Sequence, residues 1–481
     1  MKQVFEVEGR YLGHEWVATD RTFDVRSPAG GAVIARAADC GAAEAAEAVV
    51  VSERAFADWR ATTAFARSAL LERWADLILE HQAALAELMS AEMGKPIRES
   101  RGEVSYAAGF VKWYAEEAKR VHGEAFPSHV GSKRLYALRQ PVGPVFGVTP
   151  WNFPVAMVTR KAAPALAAGC TFILKPAEQS PLSALATAKL WLDAGGPAGT
   201  LQVLPASDPV PLADVLIADP RIRKVTFTGS TAVGKILYRK SADTVKRISL
   251  ELGGHAPLIV FDDADLDVAV REAIACKYRN SGQTCVCTNR IYVQRGVHDA
   301  FVTAFAAASD KLVVGDPGLD ATDIGPLVDG QGLAKVQEHM QDAVAKGALV
   351  VTGGAALGGL YFRPTVVTGV TSAMLLMNEE TFGPVAPVSV FDDEAEIVRL
   401  ANDTPYGLAA YVFTNDLSRA HRMAEALDYG IVGINDGVPS TPQAPFGGVK
   451  QSGIGREGGP WGIEEYLEIK YVSVGIRTDP G

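Results

Sequence analysis

The chain has 481 residues, of which 48% are hydrophobic and 21% are charged, and its formal net charge is −10. This length exceeds one ordinary hydrophobic core, so we expect two or three lobes of a globular rather than a disordered protein. Acidic residues are spread along the chain, which argues against nucleic acid as a partner because phosphate binding needs a basic face. The first ten residues lack the apolar core of a signal peptide, so we expect a cytoplasmic protein.

Residues 42–120 have a mostly helical pattern, rich in alanine and with apolar positions at helical spacing. From Pro141 onward, short apolar runs that end in Gly or Pro alternate with helix-like segments. This rhythm predicts strands at 145–148, 171–174, 201–204 and 224–228, with helices at 180–193 and 231–240. Such alternation is typical of a parallel, doubly wound sheet.

A second α/β series follows Gly254. It predicts strands at 257–261, 290–293, 349–352 and 386–391, and helices at 266–279, 298–312 and 332–346. An insert at 123–139 and a tail at 466–475 also have strand-like composition but no obvious local partner. Strands of this kind often pair with another subunit.

One uncharged stretch, residues 140–159, is long enough to span a bilayer. It contains four prolines and Asn152, which would leave backbone groups unpaired in lipid. We therefore predict a buried strand and loop beside a ligand, and no membrane span.

Two short motifs carry most of the chemistry. Glu251 opens the sequence Glu-Leu-Gly-Gly, and Cys285, 34 positions later, closes the sequence Gly-Gln-Thr-Cys. A thiol is a strong nucleophile and a carboxylate can activate water, so the pair suits a reaction through a covalent thioester. Asn152, an amide in an apolar loop, is a candidate donor to a developing oxyanion. An inert buried thiol is the alternative for Cys285.

A Gly-rich segment, residues 229–235, nearly spells the phosphate loop of nucleoside triphosphatases, but Ile236 stands where a magnesium-binding Ser or Thr is needed. A dinucleotide pyrophosphate at a helix start therefore fits better than a triphosphate. Lys175 and Glu178 follow a predicted strand, where open α/β sheets bind ligands. The alternative for the Gly-rich segment is a turn needed for packing, and the alternative for Lys175 and Glu178 is a solvated turn.

The five cysteines, at positions 40, 170, 276, 285 and 287, are odd in number and do not suggest a disulfide scaffold. Cys285 and Cys287 have no second pair of thiols at metal spacing, and the glycines between Glu251 and His255 would break a helix. We predict no metal site and a structural role for His255.

Seven motifs in order resemble the aldehyde dehydrogenase superfamily over nearly the whole chain. They lie at 149–154, 175–178, 227–230, 251–254, 282–285, 379–384 and 445–453. Within it, the chain is most similar to succinate-semialdehyde dehydrogenases, on residues 159–161, 278–280 and 285–287. The resemblance implies an α/β fold with an NAD-binding domain at 1–122 and 142–253 and a catalytic domain at 254–453. It also implies a small β oligomerisation element and tail at 123–141 and 454–481, in a homodimer or homotetramer.

The same resemblance implies roles for single residues. The catalytic residues would be Cys285, Glu251 and Asn152, with Lys161 in support. Cofactor binding would fall to Thr149, Pro150, Trp151, Lys175, Glu178, Gly229, Ser230, Leu252, Glu380 and Phe382. Arg160, Arg279 and Ser440 would hold a substrate carboxylate, although either arginine alone could equally form an internal ion pair. Glu178 on the ribose favours NAD over NADP, which stays possible.

The function so predicted is NAD-dependent oxidation of succinate semialdehyde through a thiohemiacetal and a thioester on Cys285. The alternatives are a glutarate or 2-oxoglutarate semialdehyde dehydrogenase and a broader aldehyde dehydrogenase. A CoA-acylating enzyme should lack Glu251, and a silent NAD-binding relative should lose Cys285 or Glu251. The resemblance also suggests a reversible Cys285–Cys287 disulfide as a redox switch, with a space-filling role for Cys287 as the equal alternative.

Overall fold

The computed structural model of the protein describes residues 5–477. The first four residues of the predicted NAD-binding domain and the last four of the predicted tail lie outside them. The strands in chain order are β1 (Arg10–Leu12), β2 (Trp16–Ala18), β3 (Thr22–Arg26), β4 (Val33–Ala38), β5 (Glu124–Phe126), β6 (Lys133–Pro141), β7 (Val145–Val148), β8 (Phe172–Lys175), β9 (Leu201–Val203), β10 (Lys224–Thr228), β11 (Arg247–Glu251), β12 (Ala256–Val260), β13 (Thr288–Gln294), β14 (Leu349–Thr352), β15 (Ala356–Gly358), β16 (Tyr361–Phe362), β17 (Thr365–Thr368), β18 (Val385–Phe391), β19 (Ala409–Phe413), β20 (Ile431–Ile434), β21 (Gly453–Ile454) and β22 (Leu467–Gly475).

The α-helices cover about half of the remaining described residues. They are α1 (Ala42–Trp59), α2 (Ala64–Glu80), α3 (Gln82–Met93), α4 (Ile97–Ala118), α5 (Ala156–Ala168), α6 (Pro181–Asp193), α7 (Pro209–Ala218), α8 (Thr231–Ser241), α9 (Leu266–Tyr278), α10 (His298–Ser309), α11 (Gly330–Ala345), α12 (Glu394–Asn402), α13 (Leu417–Ala426) and α14 (Gly459–Glu464). Among residues 5–477, no helix combines the length and the apolar character that crossing a membrane requires. The cytoplasmic location stays a prediction.

The first large sheet has eight strands in the order β2-β1-β9-β8-β7-β10-β11-β21. Its five central strands, in the order β9-β8-β7-β10-β11, run parallel. At the edges, β1 pairs antiparallel with β9 and with β2, and β21 pairs antiparallel with β11. Every residue of β8, β9 and β10 is buried, as expected for strands covered by helices on both faces. The predicted doubly wound parallel sheet is confirmed.

The second large sheet has seven strands in the order β14-β17-β18-β13-β12-β19-β20. All its pairs are parallel except the edge pair β14–β17. The chain passes from β11 of the first sheet to β12 of the second through only four residues, 252–255. The two sheets therefore meet at the Glu-Leu-Gly-Gly motif. The predicted α/β class with a second lobe is confirmed, while the exact domain bounds stay a prediction.

A third, three-stranded sheet has the order β22-β6-β5. The tail strand pairs antiparallel with the insert strand over nine residues, from Leu467 opposite Pro141 to Gly475 opposite Lys133. The insert strand and the tail strand thus pair with each other inside the chain, although they are more than 300 residues apart in sequence. Their pairing satisfies one edge of each strand. Their pairing with another subunit stays a prediction.

Helix α5 was missed by the sequence analysis, which predicted a strand and loop over its first turn. All 13 of its residues are buried. A helix buried on every side has no polar face, so its sequence lacks the amphipathic period by which helices are recognised. This helix carries Arg160 and Lys161 into the site.

Candidate active site

The predicted motifs converge where parallel strands of the first sheet end. Strands β7, β8, β10 and β11 end at Val148, Lys175, Thr228 and Glu251, one residue or less from four of the motifs. A pocket of about 230 Å³ opens beyond this edge. It is lined by Pro150, Trp151, Asn152, Thr228, Gly229, Ser230, Leu252, Gly253, Cys285, Glu380 and Phe382. Ligands bind at this edge of open α/β sheets, so the pocket is the candidate active site.

Gly254 brings the two catalytic motifs together. A Cβ atom at Gly254 would lie 2.3 Å from the carbonyl oxygen of Cys285, so only glycine allows this close approach of the two backbones. The Glu251 motif is fixed from a third segment, since Leu252 donates its backbone N–H to Ser452 and the Ser452 hydroxyl donates to Gly253. The two motifs therefore occur together in the sequence because their backbones are in contact in the folded chain.

Cys285 is half-buried and lines the pocket. Burial raises the pKa of its thiol to about 12, while Arg160 and, more weakly, Arg279 oppose that rise. The resting thiol is therefore protonated at neutral pH and needs a base before it can attack.

Glu251 is the predicted base. Burial, and next the charge of Glu457, raise its pKa well above the ordinary value. Its Oε2 atom is buried and makes no hydrogen bond within residues 5–477. A carboxylate with a raised pKa and a free oxygen can accept a proton from a thiol or from water.

Asn152 is held by groups the sequence did not reveal. Its Nδ2 donates to the Gln283 carbonyl at 3.0 Å, and its backbone carbonyl accepts from Lys95 at 2.7 Å and from the Asn280 amide at 3.2 Å. Since Nδ2 carries two hydrogens, one remains for a substrate oxygen. The lysine that hydrogen-bonds Asn152 is thus Lys95, which is itself paired with Glu103.

Lys161 and Arg160 share one buried acidic partner, Glu457. Lys161 Nζ lies 2.5 Å from Glu457 Oε1 and donates to Thr226 at 3.3 Å, and Arg160 Nη2 lies 2.7 Å from Glu457 Oε2. Although burial alone would raise it, Lys161 and Arg160 hold the pKa of Glu457 below its ordinary value. Glu457 was missed by the sequence analysis, and for Arg160 the structure shows the internal ion pair that stood as the alternative to substrate binding.

Arg160 also contacts aromatic rings. Its guanidinium lies 4.0 Å from the ring centre of Phe446 and 5.4 Å from that of Phe110, and its Nε makes no hydrogen bond within the described part of the chain. The side chain therefore keeps unused hydrogen-bonding capacity in spite of its ion pair.

Arg279 is half-buried at the end of α9, with its guanidinium 5.2 Å from the ring centre of Phe153. Among residues 5–477 it forms no ion pair within 4.0 Å, in contrast to Arg160. Ser440 is half-buried in the loop after β20. Its place beside the arginines stays a prediction.

Seven of the ten residues predicted to bind a dinucleotide line the pocket, and the other three are Thr149, Lys175 and Glu178. Trp151 and Phe382 meet edge to face across the pocket, with ring centres 5.6 Å apart. Thr149 and Lys175 stand next to the pocket, where the Thr149 N–H donates to the Lys175 carbonyl and Lys175 Nζ lies 3.0 Å from Glu178. Glu380 accepts from the backbone N–H of Gly254 at 3.0 Å.

The pocket fits a nicotinamide dinucleotide on two observations. Helix α8 begins at its rim with Ser230 as N-cap, and a helix start attracts phosphate. The hydroxyl of Thr228, in the pocket wall, is buried without a hydrogen-bond partner in residues 5–477. Ser230 spends one acceptor on the N–H of Val233, so its hydroxyl hydrogen stays available.

The positions of the remaining cysteines and of His255 suit structural roles. Cys40, Cys170 and Cys276 are buried, and all five thiols are free. Cys287 Sγ lies against the Lys277 and Thr288 carbonyls, at 3.3 and 3.4 Å. His255 is buried, and burial holds its pKa well below the ordinary value. Within residues 5–477, no three or more His, Cys, Asp or Glu side chains are grouped to hold a metal ion.

Comparison with known proteins agrees with this geometry. The model of the aldehyde dehydrogenase family matches residues 16–472. The chain is 52% identical to glutarate-semialdehyde dehydrogenase of Pseudomonas putida over 97% of both chains. It is also 52% identical to the NADP-dependent succinate-semialdehyde dehydrogenase of Escherichia coli, again over 97% of both. The crystal structure of succinate-semialdehyde dehydrogenase from Burkholderia pseudomallei superposes with a TM-score of 0.96 at 51% identity, over 98% of both chains.

Proposed function

Since the chain belongs to the aldehyde dehydrogenase family, we propose that it oxidises succinate semialdehyde to the dicarboxylic acid, with NAD as the preferred cofactor. One observation carries the choice of a carboxylate-bearing aldehyde. Arg279, a half-buried cation without an ion-pair partner in residues 5–477, lies close enough to Cys285 to lower its pKa. The names of the 52% identical relatives support a substrate of this class.

The geometry suggests how the residues divide the work. Cys285 gives its proton to a base and adds to the aldehyde carbon, while the free hydrogen of Asn152 Nδ2 meets the oxygen that gains charge. Glu251 is the base available to the Cys285 thiol and, later, to the water that hydrolyses the thioester. Lys161 acts indirectly, by holding Glu457 in place.

The dinucleotide, when bound, supplies the acceptor for the hydride. Its binding would fall to Trp151, Ser230 and Thr228 near the pyrophosphate and to Glu380 and Phe382 near the nicotinamide end. Lys175 and Glu178, outside the pocket at the end of β8, are proposed to hold the adenosine ribose. Because the E. coli relative uses NADP, the preference for NAD rests on the carboxylate of Glu178 alone.

The test compares two substrates of equal chain length on one variant. Losing a partner from a bound carboxylate costs about 2–5 kcal/mol, so Arg279→Ala should lower kcat/KM for succinate semialdehyde by about 30-fold or more. Butanal, which lacks the charge, should change by less than about threefold. Arg271→Ala, on the same helix but exposed and paired with Glu272, serves as the matched control. Equal losses on both substrates would make Arg279 structural.

Chain length is the second variable. Glutarate and 2-oxoglutarate semialdehydes would use the same arginine, so the full panel of C3–C6 semialdehydes and unsubstituted aldehydes should be measured with NAD and NADP. A higher kcat/KM for glutarate semialdehyde than for succinate semialdehyde would replace the proposed substrate but keep its class. Equal rates on unsubstituted aldehydes would favour the broader aldehyde dehydrogenase.

We also propose that the chain forms a homodimer or homotetramer through the third sheet. Ile469 and Tyr471 stand on one face of β22 and are 69% and 59% exposed. Such side chains at a free sheet edge favour association between identical chains. Light scattering on the wild type and on Ile469→Glu tests this, and a wild-type monomer at micromolar concentration would refute it.

A further inference from the structure

Three successive residues just before the nucleophile adopt the left-handed conformation. Asn280, Ser281 and Gly282 have φ values of 50°, 58° and 77°. For a residue with a Cβ atom this conformation costs roughly 1–2 kcal/mol, so it persists only where the surroundings impose it. The turn joins Arg279, at the end of α9, to the segment that carries Cys285. The contacts that hold the turn in this conformation therefore also help to position the side chains of Arg279 and Cys285.

Glu99 holds the first residue of this turn. Its Oε2 accepts the backbone N–H of Asn280 at 2.7 Å. Asn280 in turn donates its side-chain amide to the carbonyls of Asn152 and Gln283, both at 3.2 Å. The contact joins two segments that are far apart in sequence, since Glu99 lies in the first turn of α4, 181 residues from Asn280.

Glu99 also stands beside the cation proposed to hold the substrate. A cleft of about 370 Å³ is lined by Glu99, Arg279 and Val438 among others. Val438 belongs to the same loop as Ser440. Burial raises the pKa of Glu99 to about 6, against the opposing charges of Lys95, Arg279 and Arg98, so at neutral pH the side chain is mostly the ionised, stronger acceptor.

We propose that Glu99 is a positioning residue for substrate selection: its carboxylate fixes the turn 280–282 and thereby aims Arg279 at the substrate carboxylate. The inference rests on the proposed function and deepens it. Glu99 acts through the turn and touches neither the reacting atoms nor the cofactor pocket. It accounts for a half-buried, charged contact between α4 and the loop of Cys285 that the chemistry itself does not use.

The bland alternative is that Glu99 only stabilises the start of α4, where an acidic side chain is favourable. The chain offers a matched control for this. Glu44 occupies the corresponding position of α1 and accepts the backbone N–H of Gly41, also at 2.7 Å, far from the pocket. Glu44→Ala should therefore reproduce any effect of helix stability without any effect on the catalytic turn.

The experiment measures the ratio of kcat/KM for succinate semialdehyde to that for butanal in wild type, Glu99→Ala, Glu99→Gln and Glu44→Ala. Loss of a hydrogen bond to a charged group should lower this ratio by about tenfold or more in Glu99→Ala. Glu99→Gln keeps an acceptor oxygen and should retain most of the ratio, and Glu44→Ala should retain all of it. An unchanged ratio in Glu99→Ala, when Arg279→Ala lowers it, would overturn the role of Glu99 and leave the proposed function standing. Equal damage from Glu99→Gln and Glu99→Ala would overturn the hydrogen-bonding role.

A second measurement does not depend on the substrate. Hydrogen exchange of the peptide spanning residues 279–287 should be faster in Glu99→Ala than in wild type or Glu44→Ala, because the turn loses its anchor. If Arg279→Ala leaves the substrate ratio unchanged, the proposed function fails, and the exchange result alone then decides whether Glu99 fixes the turn. Identical exchange in all three proteins would overturn the inference.

Discussion

Replacing Glu457 by Gln should destabilise the protein and change the pH dependence of catalysis. The carboxylate is the shared partner of Arg160 and Lys161, and all three side chains are at most 7% exposed. Removing one member of a buried pair costs about 3–5 kcal/mol, because the other charges stay buried and uncompensated. Glu464→Gln is the control, since its pair with Arg139 is on the surface and an exposed pair contributes only about 0–1 kcal/mol. Thermal unfolding should therefore shift down clearly in Glu457→Gln and hardly in Glu464→Gln.

The pH effect follows from the position of Glu457 beside the base. Its negative charge helps raise the pKa of Glu251, so its removal should lower that pKa. The cations freed by the substitution act in the same direction. A carboxyl group serves as a base only when ionised, so the acid limb of thioester hydrolysis should move to lower pH. Single-turnover decay of the acyl-enzyme between pH 5 and 9 measures this. An acid limb that stays in place or moves to higher pH would refute the reasoning.

Four further outcomes are expected. Cys285→Ala should abolish aldehyde oxidation while NAD still binds, and activity above a few per cent of wild type would contradict this role. Glu251→Gln should accumulate an acyl-enzyme that is visible by intact mass spectrometry, and full turnover without a thioester would contradict the role of Glu251. Glu178→Ala should improve kcat/KM with NADP relative to NAD by about fivefold, since the carboxylate is 45% exposed and partly screened; an unchanged ratio would remove Glu178 from cofactor choice. After inactivation by mild peroxide, dithiothreitol should restore the activity of wild type but not that of Cys287→Ala. Equal recovery of both proteins would leave Cys287 without a regulatory role.

The sequence predicted those parts of the site whose signal is local. Motifs such as Glu251–Gly254 and Gly282–Cys285 combine reactive side chains with glycines, and both parts are readable in one short window. The structure explains why glycine is needed at Gly254, where the Cys285 backbone approaches. Strand ends were predictable for the same reason, because β7, β8 and β10 are short apolar runs closed by Pro, Gly or a charged residue.

Contacts between distant segments left no such signal. Glu457 and Lys161 are 296 residues apart, and Glu99 and Asn280 are 181 apart. Each of these acids reads in sequence as an ordinary charged residue of a helical or loop segment. The pairing of β6 with β22 was missed for the same reason, since only the folded chain brings the insert and the tail together. The sequence shows which residues are acidic, but it does not show which residue each of them contacts.

The charges of the site explain why a substrate anion would be drawn to one place in it. Arg160 and Lys161 share the single carboxylate of Glu457, and Lys95 is paired with Glu103. Burial raises the pKa values of the two reactive groups, Cys285 and Glu251, and so disfavours their anionic forms. Two arginines lower the pKa of Cys285, and of these Arg160 is paired with Glu457 whereas Arg279 forms no ion pair within residues 5–477. An aldehyde with a distal carboxylate would gain a charge-assisted contact at Arg279 that an uncharged aldehyde cannot make, and this difference is the physical basis of the proposed selectivity.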